Sequence, residues 1–302
     1  MSQIAELSAR FAIADRLRFV ELAEDFIVAE VTTPEARARI ALQGAHVMDY
    51  QIGEEAPLIW LSRDARFAPG KSIRGGVPVC WPWFGPHASN ASLPGHGFAR
   101  TVPWTLVEAR LLPDSRLQLA FELIESETTR AQWPHACTLR NTITVGPELE
   151  VALTTTNTGT QPFTLGQALH TYFTVGDVAQ AGVLGLDGCE YLDKVDGGAR
   201  KRQSGALGFS QETDRIYLAT RGHCVIQDPA LAREIVITST GSRSTVVWTP
   251  WAEKAAKMGD FGADGWKGML CVENANAADD VVQLAPGETH CLAAQFRSTP
   301  LR

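Results

Sequence analysis

Three polar side chains stand in apolar surroundings: His96 between two glycines, His170 in Gln167-Ala-Leu-His-Thr-Tyr-Phe173, and Glu273 in Met269-Leu-Cys-Val-Glu-Asn-Ala-Asn276. A carboxylate is costly to bury unpaired, so Glu273 either ends a strand at solvent or is kept for a purpose. His170 alone reads as a core histidine satisfied by a backbone carbonyl, and His96 as a turn residue or a ligand contact. Together they offer acid–base chemistry. A carboxylate near its ordinary pKa of about 4.3 accepts a proton, and an imidazole near about 6.5 donates one at neutral pH.

Lys71, Arg74 and Arg100 form a second group, with glycines close by that let a ligand approach the backbone. A planar guanidinium grips a phosphate or carboxylate with two parallel hydrogen bonds, whereas the bland reading is three surface cations. Asp214 could accept from ligand hydroxyls or cap a turn; for Asp177 turn-capping is the expectation. Gly70-Lys71-Ser72 mimics the end of a P-loop, but Ala65 stands where the first glycine belongs, and no Gly-x-Ser-x-Gly elbow occurs. Neither His96 nor His170 has His-Glu-x-x-His spacing, so no metal and no cofactor is expected, although scattered His and Glu could still meet in space.

These residues must be positioned by something other than regular helices. Gly70 to Arg100 carries Pro78, Pro82, Pro86 and Pro94 among six glycines, a composition that suits a shaped wall, with Trp81 or Trp83 as the aromatic surface. Before it, Ile4, Leu7 and Phe11 mark a short amphipathic helix, and Phe26–Val31, Ala36–Leu42, His46–Ile52 and Leu58–Leu61 read as strands. After it, Leu117, Leu119, Phe121 and Leu123 alternate with more polar residues, the period-2 signature of a half-buried strand. Further runs follow at 139–145, 149–157, 163–173, 215–219, 224–227, 234–239, 244–248, 270–273 and 292–296, with one helical segment near 253–258. Strands do not alternate with long helices, so the pattern predicts one all-β antiparallel sandwich domain over residues 1–302 with a few short helices.

Composition narrows the function. The 302 residues are 45% hydrophobic and 20% charged, enough for a sizeable core, and the net charge of −7 argues against nucleic acid or an anionic membrane as partner. Six scattered cysteines without a Cys-x-x-Cys pair read as reduced thiols. Residues 1–14 lack a basic start and an apolar h-region, so a cytoplasmic chain is expected.

The segments Ser72–Gly85, Gly95–Arg100, Ala168–Phe173, Asp214–Tyr217, Val246–Trp251 and Cys271–Asn274, in this order along nearly the whole chain, resemble the glucose-6-phosphate 1-epimerase (hexose-6-phosphate mutarotase) branch of the aldose 1-epimerase superfamily. Trp81 stands where a smaller or different apolar or aromatic residue is expected. The resemblance implies a galactose-mutarotase-like β-sandwich, an isomerase without cofactor, and a monomer acting on a small-molecule hexose 6-phosphate. It implies His170 as general acid, Glu273 as general base, His96 and Asp214 as sugar contacts, and Arg74 and Arg100 as phosphate contacts; Lys71 is added by its position. Two alternatives stay open: a mutarotase of free aldoses, and a non-catalytic sugar-phosphate binder. A glycosidase fits less well, because it needs two opposed carboxylates.

Overall fold

The computed structural model describes residues 2–301. The N-terminal helix Gln3–Phe11 is capped by Ser2, whose hydroxyl accepts from the Ala5 amide. Antiparallel strands then dominate, as the sequence pattern predicts. One layer is a nine-stranded sheet that runs in space from Leu207–Gly208 through Gly182–Leu184, His223–Asp228, Arg233–Thr240, Thr289–Pro300, Leu149–Asn157, Cys137–Val145 and Leu117–Leu123 to Trp104–Leu111.

The second layer carries the site. Its order is Ala199–Arg202, Glu190–Asp193, Thr213–Leu218, Ser244–Thr249, Met269–Asn276, Gln167–Leu169 and Val79–Cys80, with Tyr172–Thr174 also paired to Met269–Asn276. The meander Leu17–Ala23, Phe26–Thr32, Ala36–Ala41 and His46–Ile52 joins it through single bridges such as Val47 to Val77 and Tyr50 to Ile59.

Every residue of Met269–Asn276 is buried, because this central strand is covered on both faces. The period of two sorts its side chains. Leu270 and Val272 enter the main core, together with Leu169, Phe173, Tyr217 and Val247 from neighbouring strands and Leu153 and Phe296 from the nine-stranded sheet. The Phe173 and Phe296 rings meet edge-to-face at 5.1 Å across the two layers. Each such buried side chain contributes about 1.5–3 kcal/mol of transfer free energy, which locks the register of the strand. The opposite parity, Cys271 and Glu273, therefore points to the outer face of the sheet.

Neighbouring strands obey the same parity through their register. Val246 is opposite Glu273, Trp248 opposite Cys271, Asp214 opposite Trp248, and Tyr172 opposite Cys271. Gln167–Leu169 and Tyr172–Thr174 are separated by His170 and Thr171, where the His170 amide donates to the Pro78 carbonyl at 3.0 Å. Among the described residues no helix is long and apolar enough to cross a membrane.

Candidate active site

On that outer face lies a cleft of about 400 Å³. Its floor contains His170, Tyr172, Asp214, Ile216, Val246, Trp248 and Glu273, and its walls contain Arg74, Phe84, His96 and Arg100. A larger cavity of about 650 Å³ lies beside Arg16, Arg18, Arg37 and Arg39. Carboxylates answer three of these arginines, Arg18 with Glu30, Arg37 with Glu54 and Arg39 with Asp49, and no histidine lines that cavity, whereas the smaller cleft brings His96, His170 and Glu273 together.

His170 Nε2 faces Glu273 Oε1 at 3.4 Å. The His170 ring stacks on Tyr172 at 5.0 Å between centroids and meets Trp248 edge-on, which fixes the imidazole plane. Burial, reinforced by the Asp214 charge, raises the Glu273 pKa well above the usual carboxylate range, against the pull of Arg100. Burial first, then His96, Arg100 and Arg74, holds His170 well below 6.5. Both shifts favour uncharged partners, a carboxylic acid facing a neutral imidazole. That pair contains one proton, as does its tautomer of carboxylate and imidazolium, so the two residues titrate as a unit. His170 Nδ1 and Glu273 Oε2 are buried and have no hydrogen-bond partner within the protein.

His96 adopts a left-handed φ of 66° in a tight crossing of the wall. Its amide donates to the Gly85 carbonyl at 2.7 Å, and its Nδ1 accepts from the Gly85 amide at 3.3 Å. Gly97 follows with φ 71°, and a Cβ there would lie 1.9 Å from the Trp81 carbonyl oxygen, so only glycine allows this approach. The His96 ring lies 5.7 Å from that of His170. Burial, then the Arg100 and Lys194 charges, lowers its pKa to about 3, so the imidazole is neutral at physiological pH.

Arg74 is oriented by two partners, donating from Nε to Asp260 at 3.1 Å and from Nη1 to the Tyr172 hydroxyl at 3.0 Å. Arg100 donates from Nη2 to the Gly95 carbonyl at 2.9 Å. Asp214 is partly buried, which raises its pKa against the opposing charges of Lys254 and Lys194.

The structure thus brings His170, Glu273, His96, Asp214, Arg74 and Arg100 to one cleft. Lys71 does not line it: the residue is exposed, and its carbonyl accepts from Gln43 Nε2. Two other lysines do, Lys194 and Lys254, the latter held to Glu212 at 2.6 Å. The aromatic surface is also placed differently from expectation. Trp81 is buried and donates to Thr155, and Trp83 donates to the Pro94 carbonyl outside the cleft, whereas Trp248 forms part of the floor. Asp177 caps a turn as expected, accepting from the Ala179 amide.

The model of the family described as "Aldose 1-epimerase" matches residues 28–297 of the chain. A protein of Escherichia coli (strain K12) named "Putative glucose-6-phosphate 1-epimerase" is 42% identical over 256 residues, 84% of each chain. One of the same name from Salmonella typhimurium is 39% identical over 276 residues, 89% of this chain and 92% of its own. The crystal structure of a "putative mutarotase" from Salmonella typhimurium superposes with a TM-score of 0.89 at 35% identity, over 99% of this chain and all of that one.

Proposed function

The chain belongs to the aldose 1-epimerase family, and we propose that it interconverts the α and β anomers of a hexose 6-phosphate, with glucose 6-phosphate as the preferred substrate. The observation that carries this reading is the His170–Glu273 contact of 3.4 Å on the floor of a cleft that also contains Arg74 and Arg100.

In the reactive tautomer Glu273 is a carboxylate and His170 an imidazolium. Glu273 takes the proton of the C1 hydroxyl while His170 protonates the ring oxygen; the C1–O5 bond breaks and C1=O1 forms. Rotation about C1–C2 presents the other carbonyl face. Closure then returns one proton from Glu273 to O1 and one from the C5 hydroxyl to His170, which restores the pair. Each positioned acid or base typically contributes about 10²–10⁴-fold, ample for a reaction that already runs slowly in water. No net charge appears in the pair, which suits its buried floor.

Neutral His96 and carboxylate Asp214 can hold sugar hydroxyls on either side of that pair. Arg74, preoriented by Asp260 and Tyr172, and Arg100 at the rim supply the phosphate contact, with Lys194 adding positive potential in place of Lys71. The phosphate is remote from C1, so its grip orients the sugar without entering the chemistry. A local cationic cluster also explains how a chain of net charge −7 attracts an anion.

The test compares wild type with Glu273→Gln and His170→Asn, each in an assay of glucose 6-phosphate binding and an exchange NMR assay of its anomers. The expected result is retained binding with loss of exchange in both variants. A Glu273→Gln protein that exchanges anomers at the wild-type rate would overturn the acid–base assignment.

A further inference from the structure

Cys271 takes no part in the chemistry above, yet it shares the outer face of its strand with Glu273 and lies between Tyr172 and Trp248 of the neighbouring strands. One ligand atom each from His170, Cys271 and Glu273 lies within 4.8 Å of the others. We propose that these three residues form a zinc-binding site on the cleft floor, and that zinc bound there shuts off the acid–base pair.

An imidazole nitrogen, a thiolate and a carboxylate oxygen are a donor set that zinc accepts in tetrahedral geometry, with bond lengths of roughly 2.0–2.3 Å. Ligand atoms around such an ion stand about 3–4 Å apart by that geometry, so the present separations close by small side-chain rotations. Two of the donors have spare capacity: His170 Nδ1 and Glu273 Oε2 are buried without partners. Period-2 geometry puts Cys271 and Glu273 side by side, and His170, at the break between two strands paired to theirs, supplies the third corner. Of the three, His170 and Glu273 line the cleft, so water or a ligand oxygen would complete the shell from that side.

Charge favours this ion over hard cations. Zinc with one thiolate, one carboxylate and one neutral imidazole sums to zero, which a buried floor beside Arg74 and Arg100 tolerates. Binding releases two protons to solvent, the one lost when the Cys271 S–H bond breaks and the one held by the Glu273–His170 pair, and forms the Zn–S, Zn–N and Zn–O bonds; no electron is transferred. Magnesium and calcium, which need several oxygen ligands, do not match the set. The consequence for turnover follows from occupancy: with both catalytic side chains coordinated, neither can exchange a proton with the sugar. Only this consequence rests on the proposed function; the site itself does not.

The test loads the full chain with Zn²⁺ or Co²⁺, removes excess by dialysis, and measures bound metal and the thiolate-to-cobalt charge-transfer band. Expected are one ion per chain and a clear band, both absent in Cys271→Ala and Cys271→Ser. Loss of the thiolate ligand should weaken affinity by at least the 10–100-fold typical of losing an outer-shell partner, roughly. Zn²⁺ should abolish anomer exchange in wild type, reversibly with a chelator, and leave exchange by Cys271→Ala untouched. No thiolate band in wild type, or metal binding that survives both substitutions, overturns the site. Should wild type exchange no hexose phosphate, the functional reading fails while the cobalt band still decides the metal site.

Discussion

Replacing Arg100 by glutamine separates the phosphate grip from the acid–base pair. Arg100 is half-buried at the cleft rim, and its one side-chain hydrogen bond among the described residues goes to the Gly95 carbonyl. Removal therefore leaves no carboxylate without its partner, unlike removal of Arg74, which would strand the half-buried Asp260 and the Tyr172 hydroxyl. A hydrogen bond to a charged group contributes about 1.5–3 kcal/mol, and partial exposure places Arg100 near the lower end, at about 1.5–2 kcal/mol. At about 1.36 kcal/mol per factor of ten, this predicts a loss of roughly 10–30-fold in kcat/KM for glucose 6-phosphate. Arg100 also pulls the Glu273 pKa down, so the variant shifts the acid–base pair as well. That second effect acts on any sugar in the cleft, so the informative quantity is the ratio of kcat/KM for glucose 6-phosphate to that for glucose. Measured by exchange NMR on both sugars, the ratio should fall by the predicted factor. An unchanged ratio would refute the phosphate role of Arg100.

Three further predictions concern pH and stability. Because the His170–Glu273 pair holds one proton, with His170 lowered and Glu273 raised, kcat/KM should be level through neutral pH and fall only where the pair gains a second proton or loses its last; a midpoint at the ordinary histidine pKa would contradict the coupling. His46 is fully buried with Nε2 against the Gly75 carbonyl at 2.9 Å, and burial lowers its pKa to about 4. The unfolded chain binds that proton first, so stability should be lost as pH falls from about 6.5 through about 4, by roughly 3 kcal/mol, and denaturation of His46→Gln should show a shallower slope. Arg233 is buried, donates to the carbonyls of Ala56, Pro57 and Thr174, and faces Asp228 at 3.7 Å. Arg233→Met should cost about 3–5 kcal/mol in urea unfolding, because the Asp228 charge stays buried without its partner; a change near zero would show that the pair is not needed.

The sequence disclosed what local pattern controls. His46–Ile52 matches its expected bounds, and alternation at 117–123 and 149–157 marks strands whose one face is buried. The Leu58–Leu61 run forms only single bridges at Ile59 and Leu61, and the helix expected near 253–258 spans Trp251–Ala255. Leu17–Ala23 and Trp104–Leu111 carry no clear strand signature: the later residues of the first are partly or fully exposed, and the second has a register shift between Leu106 and Glu108 that breaks a simple alternation. His170 and Glu273 stood out because a polar group in an apolar run is costly. Lys194 and Lys254 carry no such signal, since lysines in turns and short helices are ordinary and only the packing of segments far apart in sequence brings them to the cleft. The same reason explains the exchange of tryptophans. Trp248 lines the cleft because its parity matches Glu273 across the sheet, and Trp81 points inward because its indole finds Thr155 in the core.

The central claim is that the cleft opens and recloses the ring of a hexose 6-phosphate. Saturation-transfer NMR on glucose 6-phosphate, with and without the protein and beside the same experiment on glucose, measures that directly. The account predicts strong acceleration of α–β exchange for the phosphate ester and little for glucose. Equal acceleration of both would remove the phosphate from the recognition, and no acceleration of either would contradict the account.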